Sequence, residues 1–138
     1  MLYRHWRPGG GRQREDQFSD GTLRLIGLLW ALLEGESLLL LEEPELSLHS
    51  AIVAKLPSLM WRLQRARQRQ VIVTSHSSEL FSDRGIRPHE VALLRPNGSE
   101  GTEAYLASDK EEIRLLLEGG TTLAEAILPL TAPATVDQ

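Results

Sequence analysis

The sequence predicts an α/β fold: a parallel sheet core flanked by helices, with an antiparallel β-hairpin towards the C-terminus. Three observations predict it. The run Leu38-Leu39-Leu40-Leu41 is apolar without alternation, which suits a strand buried on both faces of a parallel sheet. A helical pattern from Ser47 to Gln68 leads into a short β-branched strand, Gln70 to Thr74, so strand, helix and strand form a βαβ crossover with parallel strands. Asn97-Gly98 between two extended segments is a hairpin turn signal.

A chain of 138 residues, 41% hydrophobic and 25% charged, has the size and composition of one globular domain. Its formal charge of −4 argues against a wholly basic nucleic-acid binder but leaves room for a local basic patch. Cys is absent, which excludes disulfides, thiolate metal sites and cysteine nucleophiles. The longest uncharged apolar stretch, Leu25 to Leu33, falls well short of the roughly 18 to 20 residues that a membrane-spanning helix needs. Arg4, Arg7, Arg12 and Arg14 lack the apolar core of a signal peptide, and a cytoplasmic protein is expected.

Residues 1–16 are basic and hold Pro8 and the Gly9-Gly10-Gly11 run, so they read as a flexible N-terminal segment. Ser19-Asp20-Gly21-Thr22 then opens a helix. Ser19 and Asp20 are cap residues, and Leu23, Ile26, Leu29, Trp30 and Leu33 follow at helical spacing until Gly35. A helix start carries unpaired N–H groups and partial positive charge, which suits an anion.

The leucine run ends abruptly in Glu42-Glu43-Pro44-Glu45. In open α/β sheets ligands bind at the C-terminal edge of the strands, so an acidic pair there marks the place for chemistry. In the next helix, Leu48, Ile52, Leu56, Leu59, Met60 and Leu63 form the apolar stripe, and Pro57 is expected to kink or divide it. Arg62, Arg65, Arg67 and Arg69 crowd its end, where basic groups complement the helix dipole. The second strand ends in Ser75-His76-Ser77, so the crossover is expected to bring Glu42, Glu43 and His76 to one sheet edge.

Further on, Glu90 to Arg95 and Thr102 to Leu106 read as the hairpin strands. Asp109 to Glu118 reads as a helix capped by Ser108 and closed by Gly119-Gly120, Thr122 to Leu128 as a further turn or two, and residues 129–138 as a loose tail. No metal-ligand spacing and no Ser-His-Asp arrangement stands out.

The order of these pieces resembles the C-terminal half of an ABC-type ATPase head, a P-loop NTPase. Phe18 to Arg24, Leu38 to His49 and Val73 to Ser77 look like the non-transporter branch of SMC, RecF-like and OLD-family ATPases, over residues 17–128 and most strongly from Gln17 to about Ser82. The resemblance implies a signature in Ser19, Asp20, Gly21 and Thr22 that contacts the γ-phosphate bound to the opposite subunit. It implies a Walker B Glu42 holding Mg²⁺ through water, a catalytic Glu43 that polarises the attacking water, a D-loop of Ser47, Leu48 and His49, and a switch His76. ATP and Mg²⁺ are the implied cofactors.

The sequence departs from the family pattern in two places. Glu42 stands where most P-loop proteins have Asp. More consequentially, no Gly-x-x-x-x-Gly-Lys-Ser/Thr occurs, and Lys55 and Lys110 follow no glycine. The cradle for the α- and β-phosphates is therefore absent from this sequence. Half an ATPase is expected, active with a Walker A-bearing chain or an upstream region, or else retained as a dimerising or regulatory module. A homo- or hetero-oligomer is expected, with DNA as an indirect partner and no membrane.

Overall fold

The computed structural model describes residues 2–4, 11–97 and 101–131. These residues form a mixed α/β structure whose strands pair two by two. Two compact units emerge, one built from Met1–Val53 and Leu59–Ser75, the other from Ala54–Ser58 and His76–Gln138.

The first unit opens with β1 (Leu2–Arg4) and β2 (Arg12–Arg14), an antiparallel pair in register from Leu2↔Arg14 to Arg4↔Arg12. The flexible basic segment expected over residues 1–16 falls partly on this pair, and residues 5–10, with Gly9-Gly10, lie outside the described residues. A short 3₁₀ turn, Glu15–Gln17, leads into α1 (Asp20–Leu33). Ser19 caps α1 as expected: its hydroxyl accepts from the Thr22 N–H at 3.3 Å. Leu28 and Leu32 supply its buried side.

β3 (Leu39–Glu42) and β4 (Val71–Thr74) pair in parallel, in register from Leu39↔Val71 to Glu42↔Thr74. The expectation of burial on both faces fails. Burial alternates along both strands, and the cross-strand pair Leu40 and Ile72 is 67% and 47% exposed. The leucine run thus satisfies one covered face and leaves an apolar open one, because no helix among the described residues of this unit covers the Leu40 side.

Between these strands, Pro57 does divide the helix. α2 (Ser50–Val53) stops before it, and α3 (Leu56–Arg67) takes it at the second position, where a missing N–H leaves no intrahelical bond unmade. The first three residues of α3 group with the second unit and the rest with the first. Val53, Leu56 and Met60 are buried.

The second unit continues through α4 (Ser78–Phe81) to the hairpin of β5 (Ala92–Pro96) and β6 (Thr102–Leu106), antiparallel as expected. The Gly98 turn position lies outside the described residues; the Asn97 N–H reaches the Gly101 carbonyl at 2.7 Å. α5 (Glu111–Glu118) starts later than expected. Lys110 occupies the cap without a side-chain bond, while Ser108 sits in a 3₁₀ turn and bonds the Asp109 carboxylate instead. Gly119-Gly120 ends α5 as expected, with Gly120 at φ +92°, a conformation that glycine adopts without penalty.

α6 (Leu123–Thr131) is longer than the turn or two expected and reaches into the residues read as tail. It extends because its apolar side is needed. Leu123, Ala126 and Ile127 join Val91, Leu93, Ala107 and Ile113 in one buried cluster, against which Leu128 and Leu130 also pack. Ile113 and Ile127 are no more than 1% exposed, so truncating either to Ala would cost about 2–5 kcal/mol. Among the described residues no helix is long and apolar enough to cross a membrane.

Candidate functional site

Parallel pairing decides where the acids go. Because Glu42 and Thr74 are register partners, both strands finish at the same level, and the chain leaves each of them on the same edge. The Glu43 N–H donates to the Thr74 carbonyl at 2.9 Å, extending the ladder one step beyond the sheet. Glu43 then turns sharply, at φ +41°, a region that non-glycine residues rarely occupy. Such strain persists where surrounding contacts impose it, and here the bond to β4 and the turn that follows do so.

That turn is built around Pro44, whose fixed φ suits the second position of a tight turn. It closes with the Leu46 N–H on the Glu43 carbonyl at 3.2 Å and the Leu48 N–H on the Glu45 carbonyl at 2.9 Å. Ser47 sits at φ +66° within it. His49 ends the turn and begins α2: its Nδ1 accepts from the Ala51 N–H at 3.2 Å, and its carbonyl from the Ile52 N–H at 2.7 Å. His49 thus acts as a helix cap.

Two further contacts tie this unit's motifs together. The Ser75 hydroxyl donates to Glu45 Oε1, joining the acidic turn to the segment leaving β4. The other oxygen, Glu45 Oε2, is buried and has no hydrogen-bond partner among the described residues. Gly21, the second residue of α1, lies so close to the Ser47 carbonyl that a Cβ there would collide with it. The residues expected as signature and as D-loop are therefore neighbours. Ser19 Oγ and Thr22 Oγ1 lie 2.9 Å apart, so the hydroxyls at the helix start are held towards each other.

Of the sequence-predicted residues, Glu42 and Glu43 share the strand edge with Thr74 and Ser75, and Gly21 meets Ser47. His76 follows β4 by two positions and opens the second unit. Glu42 and His76 are exposed, and Glu43 is half-buried. Sequence reasoning missed the Glu45 and Ser75 pairing; its only signal was a carboxylate and a hydroxyl next to the two named motifs.

Sequence reasoning also misjudged Arg69. Instead of completing a basic helix end it lies beyond α3, is 9% exposed, and turns its guanidinium onto backbone carbonyls. Nη1 donates to Ala31 O at 2.7 Å and to Glu34 O at 2.5 Å, and Nε to Ser37 O at 2.5 Å. The Ala31 and Glu34 carbonyls are orphans at the C-terminus of α1, where the helix dipole also favours a cation, and the Ser37 carbonyl lies in the segment that leads into β3. The clamp fixes where α1 ends relative to the strand Leu39 begins.

The donors at the strand edge are carboxylate and hydroxyl oxygens, the hard set that Mg²⁺ prefers. Among the described residues no three or more carboxylate or histidine side chains converge to hold a metal by themselves. Mg²⁺ sites commonly use one or two carboxylates and complete the shell with water and phosphate, so the residues present fit the acidic side of such a site. They do not fit the α- and β-phosphate side, because the sequence has no phosphate loop.

A two-stranded parallel pair in mixed α/β surroundings, finishing in carboxylates beside a capped helix start, fits an AAA-like, ATPase-like domain. The chain belongs to the family described as "AAA domain, putative AbiEii toxin, Type IV TA system", whose family model matches residues 2–83. The match covers every candidate residue above and stops short of the hairpin. A search of the curated proteins found no match.

Proposed function

We propose that this chain supplies the signature and Walker B half of an ATP-hydrolysing site of the non-transporter ABC type, and that a phosphate loop from another chain or region completes it. The observation that carries the reading is the parallel register Glu42↔Thr74 with the Glu43 N–H on the Thr74 carbonyl. It puts two carboxylates at the strand edge where α/β proteins bind ligands.

In this reading Glu42 orients the water shell of Mg²⁺, and Glu43 accepts hydrogen-bonding from the attacking water and aims it. Backbone N–H groups at Ser19, Asp20 and Gly21, with the hydroxyl of Thr22, meet the γ-phosphate of a nucleotide held by the opposing subunit, while the Thr22 N–H stays on the Ser19 cap. The D-loop of Ser47, Leu48 and His49 carries the position of one subunit to the other through Gly21. His76 serves as the switch residue. Bound Mg²⁺-ATP supplies the electrophilic phosphoryl group, and the protein's part is positioning and charge neutralisation.

The test is reconstitution. The isolated chain binds Mg²⁺-ATP weakly, and mixing with a chain that carries Gly-x-x-x-x-Gly-Lys-Ser/Thr yields ATPase activity that Glu43→Gln abolishes. Activity that survives Glu43→Gln rules out the catalytic assignment.

A second reading, an inactive dimerising module on the same fold, draws on the exposed Leu40 and Ile72 pair. Light scattering with and without nucleotide separates the two: oligomers indifferent to nucleotide favour the module.

A further inference from the structure

α1 is apolar on two opposite sides. Gly21, Leu25, Leu28 and Leu32 recur at helical spacing and form its inner face, with Leu28 and Leu32 buried and Gly21 against the Ser47 carbonyl. Leu23, Ile26, Gly27, Trp30 and Leu33 recur in the same way on the other side. That outer face is open: Trp30 is 65% and Leu33 46% exposed, with Leu23 and Gly27 exposed beside them and Ile26 half-buried. A helix apolar all round belongs between two layers, and the outer one is missing among the described residues.

Gly27 narrows down what that layer is. Glycine weakens a helix interior, and its use there is to let another backbone come close. Among the described residues nothing does so: a Cβ built on Gly27 would meet no atom within 4 Å. Gly27 is therefore an empty notch, and Trp30, about one turn further along the same face, is a knob with nothing to enter.

A knob and a notch side by side on one face are self-complementary. Two copies of α1 that cross antiparallel, about a twofold axis between Gly27 and Trp30, seat each Trp30 over the other copy's Gly27. The same crossing brings Arg24 of each copy level with Leu33 and Glu34 of the other, so opposite charges meet at both ends of an uncharged stripe. A parallel crossing would instead set Arg24 against Arg24 and align the helix dipoles unfavourably.

We infer that the outer face of α1, centred on Gly27 and Trp30, is the surface on which a second copy of this chain docks. The contact offers roughly 500 Å² per copy, below the about 800 Å² of a stable complex, so the dimer exchanges with monomer on dilution. It uses none of Ser19, Asp20, Gly21, Thr22, Glu42 or Glu43, and stands independently of the hydrolytic reading. It also forms without nucleotide, so indifference to nucleotide does not by itself assign a dimer to the exposed Leu40 and Ile72 face of the inactive module. The variants below make that assignment.

The experiment is sedimentation velocity of the full chain without nucleotide, at about 2 and about 200 μM, a span suited to a weak interface. Monomer at the lower concentration and dimer at the higher is expected. Trp30→Ala removes the knob and Gly27→Leu fills the notch, and each should weaken dimerisation about tenfold or more. Gly27→Leu should meanwhile leave the melting temperature unchanged or raise it, because the position is open and the helix gains propensity. Arg24→Glu should weaken the dimer, and adding Glu34→Arg should restore it.

Circular dichroism checks that each variant is folded. The inference is overturned by monomer at the higher concentration, by dimer that Trp30→Ala and Gly27→Leu both leave unchanged, or by dimer that Leu40→Asp alone breaks. The last outcome would assign association to the open face of β3 and β4 instead.

Discussion

Gly21 at the start of α1 rests against the backbone carbonyl of Ser47, a residue held at φ +66° in the turn after β3. Gly21 leaves no room for a side chain, whereas Ser47 holds a conformation that glycine adopts more easily. Gly21→Ala drives a Cβ into backbone that cannot move aside, and a stability loss of about 1–3 kcal/mol is expected. Ser47→Gly, which removes left-handed strain, should stabilise by up to about 1 kcal/mol. Urea titration of both variants checks the pair, and a neutral Gly21→Ala would contradict the close approach.

Arg69 makes a second, separable prediction. Arg69→Met removes three charge-assisted hydrogen bonds and leaves the carbonyls of Ala31, Glu34 and Ser37 without this donor, at a cost of about 2–4 kcal/mol. Arg69→Lys should recover only part of that, since an ammonium is a point donor and cannot span the three acceptors. A lowered midpoint at unchanged denaturant slope is the expected result.

At β3, Leu40→Thr should change stability by less than about 0.5 kcal/mol, because Leu40 is 67% exposed. A strand covered on both faces would lose about 2–5 kcal/mol from a large-to-small change. The same denaturation assay decides between them.

The N-terminus of α6 carries a capping box: the Thr122 N–H and hydroxyl both donate to Glu125 Oε2, at 2.9 and 2.8 Å, and the Glu125 N–H returns to Thr122 Oγ1 at 3.3 Å. The backbone N–H of Thr122, and after it the hydroxyl, hold the Glu125 carboxyl below its usual value of 4.5. A pKa lowered by folding stabilises the fold fully above 4.5, and that contribution is lost as pH falls through the lower folded value. Glu125→Gln should therefore flatten the acid limb of the stability profile. Thr122→Ala should cost about 1 kcal/mol at neutral pH.

Much of this architecture could be read from local sequence. The α1 start followed from Ser19, the division of the long helix from Pro57, the parallel pair from β-segments flanking a helix, and the hairpin from Asn97-Gly98. What escaped was tertiary. Four consecutive leucines fix a strand but not how many of its faces are covered, since that depends on neighbours that the run does not encode. α6 outlasts its sequence signal because the hydrophobic cluster rewards burying Ile127 and Leu130, whereas Pro129 reads locally as a stop.

Arg69 and the Glu45 and Ser75 bond escaped for a related reason. Each joins segments about thirty or more residues apart, and nothing in a one-dimensional pattern distinguishes a buried arginine from the three exposed ones before it. At the candidate site the strand edge was legible from Glu42 and Glu43, while the meeting of Gly21 with Ser47 was not.

The most direct measurement of the central claim is steady-state ATP hydrolysis by this chain mixed with a Walker A-bearing partner chain, in Mg²⁺ buffer, comparing wild type with Glu43→Gln. The account predicts turnover that needs both chains and falls at least a hundredfold with Glu43→Gln, on the scale of losing a positioned general base. Turnover that Glu43→Gln leaves at the wild-type rate would contradict it.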